Sequence, residues 1–155
     1  FMAEADRQIS APTHIFLQAG VGGLAGAAAA MARKLWGDAP VIVVVEPQYA
    51  PALHGCIQAG DFVPAKGPGS AMGRLDCLEA SLIALKGLAK DADVFALISE
   101  EEGQAGADYA AAHQMESTAS GAAGLAALLA SPAHRAALKL DANSHVLVIL
   151  SEGPE

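Results

Sequence analysis

The stretch HIFLQAGVGGLAGAAAAMARKLW, His14 to Trp36, decides how the rest of the chain is read. His14 to Leu17 form a short apolar run suited to a buried strand, and Leu24 to Trp36 read as an alanine-rich helix. Between them lie Gly20, Gly22 and Gly23, with Gly26 just inside the helix. Glycine weakens both strand and helix, so such a cluster marks backbone that turns sharply or approaches something closely. A strand, a glycine loop and a helix start also make an anion cradle, because unpaired N–H groups converge there. Three readings therefore stand side by side. The glycines serve close packing only, or the N–H groups of Val21 to Leu24 hold a single phosphate monoester. In the third, GVGGLA is a dinucleotide site with Ala25 in its last position and Glu46 holding a ribose hydroxyl.

Outward from this stretch the chain alternates. VIVVVEP (Val41 to Pro47) is a β-branched run expected as a strand buried on both faces. YAPALHGCIQAG reads as a short helix stopping at Gly60, and Asp61 to Arg74, rich in glycine and proline, as an ordered loop. A helix is expected over Leu75 to Lys90, a third strand over Asp93 to Ser99, and helices over Glu101 to Met115 and Ala119 to Leu129. A short helix follows Pro132, and SHVLVIL (Ser144 to Leu150) is the fourth strand. Strands separated by helices imply right-handed parallel crossovers. The fold class is therefore α/β: a three-layer α/β/α sandwich on a mostly parallel sheet of about four strands. Residues 12–153 are read as one domain, residues 1–11 as an N-terminal tail or expression scar, and residues 154–155 as a tail. Ligands in such sheets gather at the carboxyl ends of the strands, where Gly20 to Gly23, Glu46, Ser99 and Ser151 fall.

Composition narrows the partners. The chain is 53% hydrophobic but only 5% aromatic, which suits small-residue helices packed closely on a sheet. A net charge of −8 argues against nucleic acid, which needs clustered Lys and Arg. Cys56 and Cys77 lack disulfide-framework or metal-ligand spacing, so a reducing cytoplasm is the expected location. No apolar run is long enough for a membrane span, and no membrane partner is expected. His14 and His54 read as surface or capping residues, and no metal site is assigned. Glu100 to Gly103 suit a helix start, and Met31, Met72 and Met115 read as core.

Four segments carry more than their composition: PTHIFLQAGVGGLAG, VVVEP, ESTASGAAGLAALL and the late VLVILSEG. In this order and spacing they resemble the second half of pyridoxal-phosphate enzymes of the tryptophan-synthase-β type (fold type II). The likeness runs from Pro12 to Gly153. It is closest to diaminopropionate ammonia-lyase and more distant to threonine dehydratase. The resemblance implies that Gly20, Val21, Gly22, Gly23 and Leu24 cup the phosphate of pyridoxal phosphate, and that Ser151 lies beside the pyridine nitrogen. A hydroxyl there can hydrogen-bond a neutral ring nitrogen, whereas an acid would hold it protonated.

The family's Schiff-base lysine belongs to an earlier segment, and Lys34, Lys66, Lys86, Lys90 and Lys139 fall outside any matching motif. No catalytic residue is assigned. The element MGRLDCLEA keeps Met72, Leu75, Cys77 and Glu79 of the family pattern but not its glycine and proline. The turn ESTASGAAG keeps Glu116, Ser120, Gly121 and Gly124. The expected function is a truncated lobe of an ammonia-lyase that eliminates ammonia from a small diamino acid. It would not be catalytic alone, and would meet an amino-acid substrate only when completed by another lobe. The alternatives are a non-catalytic remnant that binds phosphate or a partner chain, and a dinucleotide-binding domain. Whether the chain is itself an enzyme stays open. An uncovered sheet edge and alanine-rich helices lead to the expectation of a homo-oligomer.

Overall fold

Successive residues of a strand point to opposite faces, and in this chain both faces are apolar. The computed structural model describes residues 1–153. Its strands are β1 (His14–Gln18), β2 (Val41–Pro47), β3 (Val94–Ile98) and β4 (Val146–Val148). They form one parallel sheet in the order β3-β2-β1-β4. Ile15, Leu17, Ile42 and Val44 face one layer, made of helices α1 (Met2–Gln8), α2 (Gly23–Trp36), α3 (Ala52–Ala59) and α4 (Leu82–Asp91). Phe16, Val43 and Val45 face the other, where α6 (Ala123–Ala130) lies on the sheet and α5 (Glu100–Ala112) packs against α6. The three-layer α/β/α sandwich expected from the sequence is the observed fold.

Small residues set the spacing of the layers. In α2 the buried positions are Ala25, Ala28, Ala29 and Ala32, a helical stripe of methyl groups that lets the axis lie close to the sheet. In α5 the stripe is Gly103, Gly106, Ala107 and Ala110. A β-carbon at Gly106 would stand 2.6 Å from that of Ala126, so α5 and α6 could not approach as they do.

The connections reverse direction once. From β1 the chain passes through α2 to β2, then through α3 and α4 to β3, always moving toward the same edge. It then runs through α5, α6, a 3-10 turn at Ser131–His134 and the single turn α7 (Arg135–Leu138) to β4, on the other side of β1. A reversal of this kind opens a crevice at the carboxyl ends of the two strands, here β1 and β4. The β1–β2 ladder runs to Gln18 opposite Val45, while the β1–β4 ladder stops at Phe16 opposite Val148. Beyond Val148 the chain leaves the sheet.

Several boundaries differ from the sequence reading. Residues 2–8, within the expected tail, form α1, which packs on α2 with Met2 buried. Residues 154–155, read as a tail, lie outside the described residues. The helix expected from Leu75 begins at Leu82, because Ser81 caps it by accepting from the Ala84 N–H. Likewise α6 begins at Ala123 rather than Ala119, and β4 is three residues long. His14 is buried rather than at the surface. Its Nε2 lies 2.7 Å from the Leu138 carbonyl, which can only accept, so Nε2 carries the proton. Met115 is exposed, not core.

Glu46 is the one carboxylate wholly inside the described fold. Its two oxygens accept from the N–H groups of Leu53 and His54, each at 2.7 Å, and so cap α3 from the end of β2. Burial pushes its pKa up to about 7, against the opposing pull of those amide hydrogen bonds. A carboxyl whose folded pKa is raised contributes its stabilisation fully below the unfolded value near 4.5. That contribution is lost as pH rises through about 7 and amounts to about 3 kcal/mol. Urea unfolding at pH 5 and pH 8 should show the native chain losing about 2–3 kcal/mol more over this interval than Glu46→Gln. Equal losses in the two proteins would remove Glu46 as the source.

Candidate functional site

The start of α2 follows β1 by a tight turn. Gly22 occupies the N-cap with φ +97°, a conformation that strains any residue with a β-carbon. Space is tight as well: a β-carbon would lie 3.0 Å from both Ala84 Cβ and Leu53 Cδ1, which would have to give way. After this turn come the N–H groups of Gly23, Leu24 and Ala25, which an α-helix cannot satisfy from within.

α2 differs from α3, α4 and α5 in having no side chain that answers its first turn. Glu46 caps α3, Ser81 caps α4, and Ser99 with Glu102 forms a capping box on α5, whose first turn also holds Glu100 and Glu101. The first turn of α2 has neither a side-chain cap nor an acidic residue. Its partial positive end stays available to an anion.

That end opens on a cleft of about 280 Å³ at the β1/β4 crevice. All six residues singled out from the sequence line it: Gly20, Val21, Gly22, Gly23 and Leu24 on one side, Ser151 on the other. Gly20 has a separate reason to be glycine. A β-carbon there would meet Cys77 Sγ at 2.9 Å and the Arg74 carbonyl at 3.0 Å. The MGRLDCLEA segment thus crosses under the loop, and the N–H of Ser81 donates to the Val21 carbonyl at 2.9 Å. Close packing accounts for Gly20, while the positive φ accounts for Gly22.

Ser151 is held by the loop before α6. Its N–H donates to the Gly121 carbonyl at 3.2 Å, and its carbonyl accepts from Ser117 Oγ at 2.8 Å. A β-carbon at Gly121 would fall 1.8 Å from that carbonyl, so the two segments touch only because residue 121 is glycine. Glu152 accepts from Thr118 Oγ1 and lies 3.9 Å from Arg74 Nε. Arg74, at the rim, and the buried Ser120, whose hydroxyl accepts from the Arg74 N–H, complete the wall. An adjoining cleft of about 700 Å³ shares Arg74, Ser120 and Glu152 and extends past Gln104 and Glu116.

Two lining residues, Gln18 and Arg74, were given no place at the site from the sequence. A polar residue ending the apolar run HIFLQ was a usable signal for Gln18. Nothing in the spacing pointed to Arg74. Glu46 is corrected: with no exposure and both oxygens bonded to α3, it cannot reach a ribose in the cleft. Neither cleft is lined by Lys34, Lys66, Lys86, Lys90 or Lys139. Among the described residues, no group of His, Cys, Asp and Glu is placed to hold a metal, and no helix is long and apolar enough to cross a membrane.

The model of one family, described as pyridoxal-phosphate dependent enzyme, matches residues 1–152. No curated protein matches the chain by sequence. Diaminopropionate ammonia lyase from Escherichia coli superposes with a TM-score of 0.85 at 26% identity, over 97% of this chain and 41% of its own. Threonine deaminase of T.th. superposes with 0.83 at 22%, over 99% and 53%. Serine racemase from Dictyostelium discoideum gives 0.82 at 19%, over 98% and 47%. The chain thus spans about half the length of these structures, and the likeness to the last two is one of fold.

Because the positive φ at Gly22 strains any other residue and the space beside it is tight, Gly22→Ala should lower stability by about 1–3 kcal/mol in urea unfolding. A variant as stable as the native chain would mean that the turn readily adopts another conformation.

Proposed function

Since the chain belongs to the family of pyridoxal-phosphate-dependent enzymes, we propose that it is the cofactor-holding half of an ammonia-lyase acting on a small diamino acid. The observation that carries this reading is one cleft bounded by the uncapped start of α2 and by the Ser151 hydroxyl. The donor set fits pyridoxal phosphate. The N–H groups of Val21 to Leu24, which line the cleft, suit a phosphate dianion, and the Ser151 hydroxyl suits a ring nitrogen. Arg74 also lines the cleft, beside Glu152.

When bound, pyridoxal phosphate supplies an electron sink that eases loss of the proton at an amino acid's Cα. This chain's residues bind and orient. Val21 to Leu24 fix the phosphate end, Ser151 fixes the ring end, and the adjoining cleft past Arg74 and Glu116 leaves space for an amino acid. Proton abstraction falls to a lysine outside these clefts, so catalysis requires a further segment or chain that brings one in. The higher identity to diaminopropionate ammonia lyase, 26% against 22% for the threonine deaminase, supports a diamino acid as substrate. A second reading, a non-catalytic phosphate-binding module, uses the same cup without that completion. The dinucleotide reading loses its support with the burial of Glu46.

Association between copies belongs to the same proposal. β3 is an edge strand with Leu97 exposed, and α4 presents Leu82 and Ile83, the latter 87% exposed. Light scattering should give a dimer or larger. A monomer at working concentration would count against it.

Calorimetric titration should show saturable binding of pyridoxal phosphate and none of pyridoxal. Gly23→Asp is the matching variant, since a side chain there meets nothing within 4 Å and an acid suits a helix start. It should stay folded and bind pyridoxal phosphate at least about 10-fold more weakly, its carboxylate occupying the anion's place. Undiminished binding would move the phosphate away from α2. With pyridoxal phosphate and 2,3-diaminopropionate, the chain alone should release ammonia no faster than the free cofactor. A faster rate would overturn the need for completion.

A further inference from the structure

Residues 61–81 contain neither helix nor strand, yet part of this segment walls both clefts. Ala71, Gly73 and Arg74 line the larger cleft, and Arg74, Leu75 and Cys77 line the smaller one. Irregular backbone lacks the ladders that satisfy helix and strand, so its N–H groups look to other elements. One anchor is Ser120, whose hydroxyl accepts from the Arg74 N–H at 3.3 Å. Another comes from the start of α5. Glu100 Oε1 accepts from the Ser70 hydroxyl at 2.7 Å, and its Oε2 accepts from the Ala71 N–H at 2.8 Å. Ser70 Oγ in turn accepts from the Met72 N–H at 3.1 Å. The buried Met72 lies against α5, where a β-carbon at Gly103 would stand 2.8 Å from its Sδ.

The acids that open α5 differ in what they bond. Glu102 completes the capping box by accepting from the Ser99 N–H, and Glu101 meets its own N–H and the Ser99 hydroxyl. Both serve the helix. Glu100 stands in the same turn, yet both its oxygens are bonded to a segment about thirty residues earlier in the chain. Helix formation therefore does not explain its geometry. A carboxylate also makes the stronger, charge-assisted kind of hydrogen bond, which suits a clamp. We propose that Glu100 is a positioning residue, whose carboxylate ties Ser70 and Ala71 to α5 and so holds the wall from Arg74 to Cys77 in place along the cleft. The inference rests on the cofactor reading above for what the cleft holds, and adds to it the residue that fixes one of its walls.

Iodoacetamide labelling of the full folded chain, read cysteine by cysteine from peptide masses, tests the clamp. Cys77 is half-buried in the wall, whereas Cys56 is buried on α3. Glu100→Gln keeps the size of the side chain but puts an NH2 group where one acceptor was. Cys77 should then label about 10-fold faster, with Cys56 unchanged. Glu101→Gln removes an equal charge from the same turn and should label as the native chain does. Pyridoxal phosphate should protect Cys77 in the native chain, and Glu100→Gln should need about 10-fold more of it for equal protection. Loss of an acid would by charge alone favour an anionic ligand, so weaker protection reports a displaced wall. Should Glu100→Gln fail to fold, Ser70→Ala opens the clamp from the other side and should give the same selective rise. If Cys56 and Cys77 speed up together, Glu100 only stabilises the chain and the proposal falls. It falls too if Glu101→Gln matches Glu100→Gln, if Cys77 is indifferent to both clamp variants, or if protection is equal with and without the clamp. Selective exposure of Cys77 in Glu100→Gln, with no protection by pyridoxal phosphate in the native chain, would confirm the clamp and bring down the cofactor reading instead.

Discussion

β1 is paired on both sides along its first three residues, and every other feature of the molecule follows from that commitment. His14, Ile15 and Phe16 face Val41, Ile42 and Val43 on one flank and Val146, Leu147 and Val148 on the other. With both edges taken and both faces covered, only the carboxyl end of the strand is available for chemistry. The chain moves one way from β1 to reach β2 and the other way to reach β4. The two connections therefore part at this end, and a crevice lies between them. Gly20 to Leu24 and Ser151 meet there because one group follows β1 and the other follows β4.

Small residues make the crevice usable. Alanines let α2 lie flat on the sheet, Gly106 lets α5 approach α6, and Gly121 lets the loop before α6 touch the Ser151 carbonyl. Larger side chains would hold the layers apart and blunt the convergence. The electrostatics follow a parallel logic: α3, α4 and α5 each have first-turn donors answered from within the protein, and α2 does not. The difference lies in single residues. Glu46 reaches across to α3 from a neighbouring strand, while the residue before α2 is a glycine with no side chain to offer.

Much of this was legible along the chain. The β-branched run at Val41 to Val45 announced a strand buried on both faces, and the alternation of strand and helix announced parallel crossovers. The glycine cluster was legible as a turn, yet not the separate duties within it. Gly20 is pressed by Cys77 and Arg74, which lie more than fifty residues away in the chain, whereas Gly22 answers to a dihedral. Helix starts were misjudged where apolar spacing ran on through a loop. Leu75 and Leu78 have helical spacing to Leu82, but the Ser81 cap and the crossing under Gly20 keep residues 75–80 out of the helix. Glu46 invited a ligand role because it ends a strand, a position that says nothing about which way α3 will dock.

By itself the sequence determined the fold class, the order of elements and the glycine turn after β1, because these depend on local apolar period and on where glycine permits a turn. Tertiary structure alone decided which further groups share that loop's cleft. Gln18 and Arg74 join Ser151 there through the reversal at β1, a relation among distant segments that no local pattern encodes. It also decided the state of individual polar atoms. Whether a carboxylate faces water or caps a helix, and whether a hydroxyl gives or takes a hydrogen bond, depends on partners brought together only by folding.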